Sequence, residues 1–314
     1  MAVHIPVLVN EVVQWLNLKP GDTALDATVG EGGHAKAILA ATSPDGQLIG
    51  IDLDRHALAS AQRELARVHT GRFTLMHGNF KDLNSLLHGQ QNRRQLRAVL
   101  CDLGISSLEL QDASRGFSFE NAGPLDMRFS ADADHPLTAA KIVNTWSEAE
   151  LAEMFKELGE ERNARRVAQA IVAERENAPF ETTDQLVQVV ETVIPRRGPR
   201  HPATKVFQAL RISVNLELNN LKAFLPAALD ALEPGGRLAV ITFHSLEDRI
   251  VKRFFQTEAK ACICPPELPV CQCTHRAQLT ILTKKPVTAS EEERKSNPRS
   301  RSAKLRVAEK KMSL

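Results

Sequence analysis

The chain has 314 residues, 43% of them hydrophobic and 25% charged, with five cysteines and a net charge of +2. This composition is ordinary for a globular protein with one large domain or two, and no apolar run reaches the ~18–20 residues that a membrane span needs. The odd number of cysteines and the lack of a signal-peptide pattern argue against a disulfide framework. We therefore expect a cytoplasmic protein that does not enter a membrane.

The N-terminal region predicts a helix, a strand, a glycine turn and a second helix. Residues 7–18 place apolar groups at helical spacing, and Lys19-Pro20-Gly21-Asp22 ends that helix. Residues 23–29 form the predicted strand, which breaks into Gly30-Glu31-Gly32-Gly33-His34 before the helical pattern of residues 35–40. Glycine permits positive φ and lets a ligand approach the backbone closely, so this turn is a candidate binding loop.

Two acidic residues accompany the turn. The second predicted strand, residues 47–51, leads into Asp52, and an acid at that place can accept hydrogen bonds from both ribose hydroxyls of a nucleoside cofactor. The turn and Asp52 together predict a nucleoside-binding α/β domain. Asp26, inside the first strand, either faces the amino group of a methionine-containing cofactor or is a buried acid that accepts N–H groups of the turn.

Residues 73–78 and 97–105 predict a third and a fourth strand. Strands and helices that alternate in this way predict a parallel, doubly wound, Rossmann-like α/β sheet. Ligands of such sheets lie outside the carboxyl ends of the strands. Phe80, just after the third strand, is therefore placed either to stack beside an adenine or to cap the core, and Asp102 ends the buried part of the fourth strand.

The alternation stops after the fourth strand. Residues 137–230 read as almost wholly helical, and the strand pattern resumes only at residues 237–242. We therefore predict one sheet domain made of residues 1–107 and 213–314. An inserted helical domain of residues 108–212, which recognises the substrate, interrupts it.

The C-terminal part of the chain carries three further expectations. One long helix, residues 206–229, is expected to return the chain to the sheet. Residues 278–283 are expected to form the last strand. Residues 288–303, rich in Ser, Glu and Arg, are predicted to be a surface loop or a flexible tail.

Positive charge is concentrated in two segments. Residues 192–211 carry a local charge of +5 with no acid, and residues 284–311 hold ten Lys or Arg against four Glu. Such segments indicate either a polyanionic partner or simply a solvated surface and tail. The cations of the first segment are Arg196, Arg197, Arg200, Lys205 and Arg211.

Four of the five cysteines form a compact set, Cys262-x-Cys264 and Cys271-x-Cys273. Four thiolates can hold Zn²⁺ tetrahedrally, but Cys-x-Cys repeated is less usual in zinc sites than Cys-x-x-Cys. A structural zinc site and a metal-free loop both remain open, and no metal ligand is assigned from the sequence.

Several segments, in their order along the chain, resemble one family. This is the RsmH (MraW) family, bacterial methyltransferases that act on the exocyclic N4 of a decoding-centre cytosine in 16S ribosomal RNA. The resemblance covers nearly the whole chain. It rests among others on Gly30-Glu31-Gly32-Gly33-His34, Asp102-Leu103-Gly104-Ile105-Ser106-Ser107, Arg115-Gly116-Phe117-Ser118-Phe119, His201-Pro202-Ala203-Thr204-Lys205, Phe243-His244-Ser245-Leu246-Glu247 and Asn297-Pro298-Arg299-Ser300.

The resemblance implies S-adenosyl-L-methionine as the methyl donor and 16S rRNA of the small ribosomal subunit as the partner. Glu109 stands where the family commonly has Gln; an ionised Glu accepts hydrogen bonds but cannot donate one, and Gln111 is an alternative. Carried over by position, the implied cofactor-binding residues are Gly32, Gly33, His34, Asp52, Phe80, Asp102 and Glu109.

The implied chemistry needs a proton acceptor near the methyl group. The N4 lone pair of cytosine is delocalised into the ring, so a group must accept a hydrogen bond from the amine and take its proton while N4, methyl and sulfur are aligned. We predict that Asp102 positions the cofactor or the amine, and that Ser106 or a backbone carbonyl is the acceptor. Helix N-capping is the alternative role of Ser106.

Two other functions fit parts of this sequence. An NAD-dependent oxidoreductase uses the same kind of glycine turn and ribose-binding acid, and a non-catalytic RNA-binding ribosome-assembly factor would keep the binding residues. No heptad pattern or long apolar edge requires a dimer, so the oligomeric state is left open.

Overall fold

The computed structural model describes residues 5–68, 71–88, 96–106, 110, 112–118, 122–130, 136–196, 198, 201–265, 267–268 and 270–312. The chain divides into two compact units. The sheet unit comprises Met1–Gly104 and Leu218–Leu314, and the helical unit comprises Ile105–Glu217. None of the helices in the described part of the chain is long and apolar enough to span a membrane.

The sheet unit contains a seven-stranded sheet with the order β3-β2-β1-β4-β5-β7-β6. Strands β1 to β5 are parallel, and β7 runs antiparallel to both β5 and β6. The predicted doubly wound α/β sheet is confirmed. The strands are β1 (Thr23–Asp26), β2 (Gln47–Asp52), β3 (Phe73–His77), β4 (Leu96–Asp102), β5 (Leu232–Thr242), β6 (Leu279–Ile281) and β7 (Lys304–Lys310).

Twelve α-helices are formed by the described residues. The sheet unit holds α1 (Val9–Leu16), α2 (Gly33–Ala41), α3 (Arg55–Ala66) and α4 (Leu83–Leu86) before the helical unit. The helical unit holds α5 (Ala139–Thr145), α6 (Glu148–Glu157), α7 (Ala164–Arg175), α8 (Thr183–Val193) and α9 (Thr204–Asn215). After it come α10 (Glu217–Ala231), α11 (Ser245–Glu258) and α12 (Glu291–Ser296).

The sheet is covered on both faces because its strands are apolar on both faces. Alternate residues of β1 enter different cores: Leu25 packs in the core that contains Phe224 of α10, and Ala24 packs in the core that contains Leu39 of α2. This two-sided burial is typical of parallel sheets and explains the continuous apolar runs of the sequence.

The helical unit has a hydrophobic core of its own, centred on residues such as Phe155, Ile171 and Leu210. Its helices begin at identifiable caps; Ser147 and Glu150 form a capping box at α6. The sequence placed this inserted domain at residues 108–212, and the compact unit runs from Ile105 to Glu217. Its role in substrate recognition stays a prediction.

The predicted long helix 206–229 is wrong. Leu216 adopts the left-handed conformation, with φ 51° and ψ 34°, and closes α9 before α10 begins. An ordinary side chain seldom adopts this conformation, so nothing in the helical periodicity of the sequence indicates the break.

The prediction of a C-terminal loop or tail at residues 288–303 is also wrong. That stretch contains α12 and a short 3₁₀ helix, Pro298–Ser302, and it leads directly into β7. Strand β7 is inserted between β5 and β6, with Leu305 beside Ile241 and Ala308 beside Ile281. Residues 278–283 therefore hold β6 but not the last strand.

Candidate functional site

Three carboxylates lie at the carboxyl ends of neighbouring strands. Asp26 ends β1, Asp52 ends β2 and Asp102 ends β4. The order of the sheet reverses between β1 and β4, and in open α/β sheets ligands bind at such a switch point. The carboxylates therefore mark the candidate site at this edge of the sheet.

The glycine turn brings the backbone toward Asp52. Gly30 and Gly32 have φ angles of 53° and 90°, which favour glycine. The Gly30 N–H donates to Asp52 Oδ2 at 2.7 Å, and the Asp54 N–H donates to Asp52 Oδ1 at 2.8 Å. Burial raises the pKa of Asp52 although these hydrogen bonds oppose the shift. The carboxylate is thus held rigidly, and its remaining lone pairs suit two ribose hydroxyls.

Gly33 is the first residue of α2, with Gly32 as its N-cap. A Cβ atom on Gly33 would lie 3.1 Å from Pro6, so even an alanine would crowd this segment. The positive φ of Gly32 favours glycine, whereas a side chain at Gly33 would require a small shift of the Pro6 ring. Both glycines keep the start of α2 free of side-chain bulk.

Asp26 supports the turn through one oxygen, and its contact with a cofactor stays a prediction. Its side chain is buried, and Oδ1 accepts a hydrogen bond from the Thr28 N–H at 3.1 Å. Oδ2 is buried and has no hydrogen-bond partner among the described residues. Burial raises the pKa of Asp26 to about 7, and the nearby charge of Asp52 adds to the shift. One oxygen thus supports the turn, and the other is available to a donor from a ligand.

Asp102 faces His34. The Asp102 N–H donates to Thr28 Oγ1 at 2.7 Å, and its Oδ2 lies 3.7 Å from His34 Nδ1. Its Oδ1 is buried without a partner in the described part of the chain. Burial raises the pKa of Asp102 well above its usual range, and the charges of Asp26 and Glu247 raise it further.

His34 is buried and is held by the N-terminal segment. Its Nε2 lies 2.9 Å from the Val7 carbonyl oxygen. A carbonyl only accepts hydrogen bonds, so Nε2 carries the proton and Nδ1 is turned toward Asp102. At 3.7 Å from Asp102 Oδ2, Nδ1 is beyond hydrogen-bond distance, so His34 borders the Asp102 carboxyl without fixing its orientation.

Glu247 is a further acid near these carboxylates, 2% exposed, which the sequence reasoning did not select. It lies in the first turn of α11, and its Oε2 accepts from the N–H groups of Phe243 at 2.8 Å and His244 at 3.2 Å. The capping box His244-x-x-Glu247 that forms this contact is visible in the sequence. Its charge contributes to the raised pKa of Asp102.

Phe80 lies where the sequence placed it, after β3. It begins the short 3₁₀ helix Phe80–Asp82, and its ring meets Phe224 edge-on with centroids 5.3 Å apart. The ring is only partly buried against the core. Phe80 thus contributes to the core and still has exposed surface on which a flat ring can stack.

Ser106 belongs to the helical unit, and its carbonyl accepts a hydrogen bond from the Leu110 N–H at 3.2 Å. Glu109 and its alternative Gln111 lie outside the described residues. The role of Ser106 as proton acceptor and the contact of Glu109 with a cofactor therefore stay predictions.

Two of the three described cations of the first basic segment pair with acids, and the third donates to a backbone carbonyl. Arg196 pairs with Glu191 at 2.9 Å, and Arg211 makes two hydrogen bonds with Glu217 at 2.8 and 3.0 Å. Lys205 Nζ donates to the Glu160 carbonyl at 2.6 Å. Arg197 and Arg200 lie outside the described residues. Local sequence charge therefore overstates the cations that this segment offers to an anionic partner.

Three other arginines are exposed, and the sequence reasoning missed them. Arg162, Arg165 and Arg166 precede or begin α7, and none of them has a hydrogen bond or an ion pair within the described part of the chain. The available signal was three arginines within five residues of the sequence; Arg165 and Arg166 lie in the first turn of α7, and Arg162 lies in the turn before it.

Comparison with known proteins identifies the family. Residues 1–311 match the MraW methylase family. This chain belongs to that family. It is 53% identical over 307 residues to the ribosomal RNA small subunit methyltransferase H of Thermomicrobium roseum, covering 98% of this chain and 93% of that protein. Its identity to the protein of the same name is 50% over 310 residues in Heliobacterium mobile, covering 98% of both chains. In Symbiobacterium thermophilum it is 51% over 310 residues, covering 97% of this chain and 95% of that protein.

As a MraW-family methylase, the chain is an S-adenosylmethionine-dependent methyltransferase with a Rossmann-like fold. This membership decides against the NAD-dependent oxidoreductase and the non-catalytic assembly factor. The described residues fit the cofactor. The glycine turn leaves its backbone accessible, and Asp52 is held in place where a ribose would bind. Two buried carboxylate oxygens have no hydrogen-bond partner among the described residues.

Proposed function

We propose that this enzyme methylates the exocyclic N4 of a decoding-centre cytidine in the 16S rRNA of the small ribosomal subunit. The observation that carries the proposal is the pair of buried, unpartnered oxygens, Asp26 Oδ2 and Asp102 Oδ1, at the switch point of a methylase sheet. The names of the relatives support small-subunit rRNA as the substrate class. An enzyme with this substrate acts in the cytoplasm.

The cofactor would be held by residues of the sheet unit. Asp52 would accept the ribose hydroxyls, Phe80 would stack on the adenine, and Gly32 and Gly33 would leave room at the start of α2. The free oxygen of Asp26 would accept a hydrogen bond from the amino group of the methionine moiety. When bound, S-adenosylmethionine supplies a methyl group already activated by its sulfonium.

Asp102 would act on the target amine. Its free Oδ1 can accept a hydrogen bond from the N4 amino group, and this localises the nitrogen lone pair. A raised pKa makes the carboxylate a stronger base than an ordinary Asp, which suits proton removal as the N–C bond forms. Ser106 would be an additional acceptor.

Methyl transfer to isolated small subunits tests the proposal directly. Wild-type enzyme and labelled donor should give a product that maps to N4 of one cytidine. Asp102→Asn keeps the shape but loses the basic oxygen, so we expect the turnover rate to fall about 10²- to 10⁴-fold, with a smaller loss for Ser106→Ala. Label on C5 or a ribose 2′ oxygen would reject the proposed target, and full activity of Asp102→Asn would reject the role of Asp102.

A further inference from the structure

A long loop joins α11 to β6. Its base is closed by a hydrogen bond from the Gln278 N–H to the Glu258 carbonyl at 2.7 Å, and His275 Nε2 lies 3.1 Å from the Thr257 carbonyl. The described residues between these closing contacts form no helix or strand. Loops of this length without secondary structure are uncommon in compact domains unless something else holds them or uses them.

Apolar burial does not hold this loop together. Its three large apolar side chains are exposed: Ile263 by 49%, Leu268 by 39% and Val270 by 70%. Within the loop, sulfur atoms make the contacts instead, since the side chains of Cys262, Cys264, Cys271 and Cys273 converge. The loop therefore has a definite arrangement of thiols but no apolar core.

The four sulfur atoms have the spacing of a metal-thiolate tetrahedron. The Sγ atom of Cys271 lies 3.4 Å from that of Cys262, 3.6 Å from that of Cys273 and 4.0 Å from that of Cys264. The sulfurs of Cys273 and Cys262 are 3.7 Å apart. Four sulfurs at ~2.3 Å from a central Zn²⁺ stand ~3.8 Å from one another, whereas a disulfide needs ~2.0 Å. All four cysteines are free.

Backbone groups already point at these sulfurs. The Cys264 N–H donates to Cys262 Sγ at 3.4 Å, and the Gln272 N–H donates to Cys264 Sγ at 3.4 Å. Hydrogen bonds of this kind orient metal ligands and offset the negative charge of the thiolates. A set of unligated thiols has no comparable need for them.

We propose that Cys262, Cys264, Cys271 and Cys273 bind one Zn²⁺ ion in a closed, structural, four-coordinate site. Four thiolates fill the tetrahedron, so no position is left for water or substrate and the ion takes no part in methyl transfer. Soft sulfur ligands in this geometry select Zn²⁺ over Mg²⁺ or Ca²⁺. The ion fixes the loop between α11 and β6 and thereby the positions of its exposed apolar side chains.

Metal analysis of the full-length protein, purified without chelator from zinc-supplied cells, provides the first test. We expect about one zinc ion per chain, and its loss in the double variant Cys262→Ser/Cys271→Ser. Cys101→Ala is the matched control, because Cys101 is buried in β4 and should not affect zinc content. Less than about a tenth of an equivalent in the wild type, iron in place of zinc, or zinc retained by the double variant overturns the proposal.

Cobalt titration of the reduced, metal-free chain provides an independent test that does not depend on activity. Tetrahedral thiolate coordination should give strong sulfur-to-cobalt charge-transfer absorption in the wild type and in Cys101→Ala, and zinc should displace it. Chelation should also speed tryptic cleavage at Lys260 and Arg276, which flank the cluster and are exposed. No cobalt spectrum, or intramolecular disulfides among the four cysteines of the freshly purified protein, overturns the proposal.

Discussion

A buried carboxylate oxygen without a hydrogen-bond partner destabilises the folded state unless a ligand binds to it. Asp26 is 1% exposed and keeps one oxygen without a hydrogen-bond partner in the described part of the chain. Desolvation of an acid raises its pKa and destabilises the folded state when the acid is ionised. This loss of stability is what a ligand-binding acid shows, since a cationic or hydrogen-bond-donating ligand would satisfy the free oxygen and remove the loss.

Asp26→Asn tests this loss of stability. The pKa of Asp26 is about 7 in the folded state and 3.8 in the unfolded state. As pH rises, the folded state therefore keeps this proton to a higher pH than the unfolded state does. The free energy of unfolding should therefore fall as pH rises from about 4 to about 7. The variant should remove that fall and be more stable than wild type at pH 8, by on the order of 4 kcal/mol. Urea unfolding at pH 5 and pH 8 measures it; a variant that is less stable at pH 8 contradicts the assignment.

The same variant separates the two roles of Asp26. If its free oxygen accepts a hydrogen bond from the cofactor amino group, affinity for S-adenosylhomocysteine should fall at least about tenfold. A loss of this size corresponds to the removal of one charge-assisted hydrogen bond. If the acid only supports the turn, affinity should stay within about twofold of wild type, because the amide oxygen of Asn can still accept from the Thr28 N–H. Calorimetry at pH 7.5 distinguishes these outcomes.

At the scale of single elements, β7 carries an ion pair that fixes it to α11. Arg306 in β7 is 7% exposed, and its guanidinium makes two hydrogen bonds with Asp248 of α11 at 2.6 and 3.2 Å. Burial alone would raise the pKa of Asp248, but the hydrogen bonds and charges of Arg306 and Lys304 lower it. The sequence left the second basic segment to either an anionic partner or a solvated surface, and Arg306 of that segment instead makes a buried structural contact.

Arg306→Ala should leave the Asp248 carboxylate with only Lys304, 3.5 Å away and more exposed, as its cationic partner. We expect a loss of about 2 kcal/mol in the free energy of unfolding, because two charge-assisted hydrogen bonds are removed from a largely buried carboxylate. Arg67→Ala is the matched control, because the Arg67–Glu64 pair is exposed and should cost less than about 0.5 kcal/mol. Equal effects of the two substitutions in urea denaturation would show that burial of the pair is unimportant. The wild-type advantage over Arg306→Ala should shrink at acid pH as Asp248 protonates, since the lowered pKa stabilises the fold only above it.

The cations that we expect to contact RNA phosphates lie at the start of α7 and in the turn that precedes it. Replacing Arg162, Arg165 and Arg166 together by Ala should weaken binding to small subunits and lower the slope of log K against log salt by about 2. Filter binding at several salt concentrations measures the slope. The control removes three exposed cations of the sheet unit, Arg63, Lys252 and Arg253. An equal fall in both variants would reject a specific contribution of α7.

At the scale of the whole molecule, one compact unit is continuous in sequence and the other is not. The helical unit, Ile105–Glu217, has its own core, whereas the sheet unit needs Leu218–Leu314 to supply β5, β6 and β7. Strand β4 pairs with β1 on one side and with β5 on the other. A chain that ends before β5 therefore leaves β4 as an unprotected edge.

We expect a fragment of residues 105–217 to fold alone and a fragment of residues 1–104 to remain unfolded. Circular dichroism should show a helical spectrum and a cooperative thermal transition for the first, because its buried residues come from within the fragment. The second should show neither, since it lacks β5 and the core residues of α10. A non-cooperative melt of residues 105–217 would contradict the independence of the helical unit.

The sequence by itself determined the features that depend on neighbouring residues. Apolar runs and the glycine turn predicted β1 to β4 and the start of α2, and the strand ends predicted the positions of Asp52 and Asp102. These are local properties, because strand and helix periodicities and turn chemistry are set within a few residues.

Only the tertiary structure decided features that depend on distant parts of the chain. The pairing of Arg306 with Asp248, the insertion of β7 between β5 and β6, and the free oxygens of Asp26 and Asp102 all follow from contacts across the fold. Desolvation and hydrogen-bond satisfaction are set by what surrounds a group in space, and no local pattern reports them. The sequence therefore located the acids of the site, and the fold decided which of their oxygens remain for a ligand.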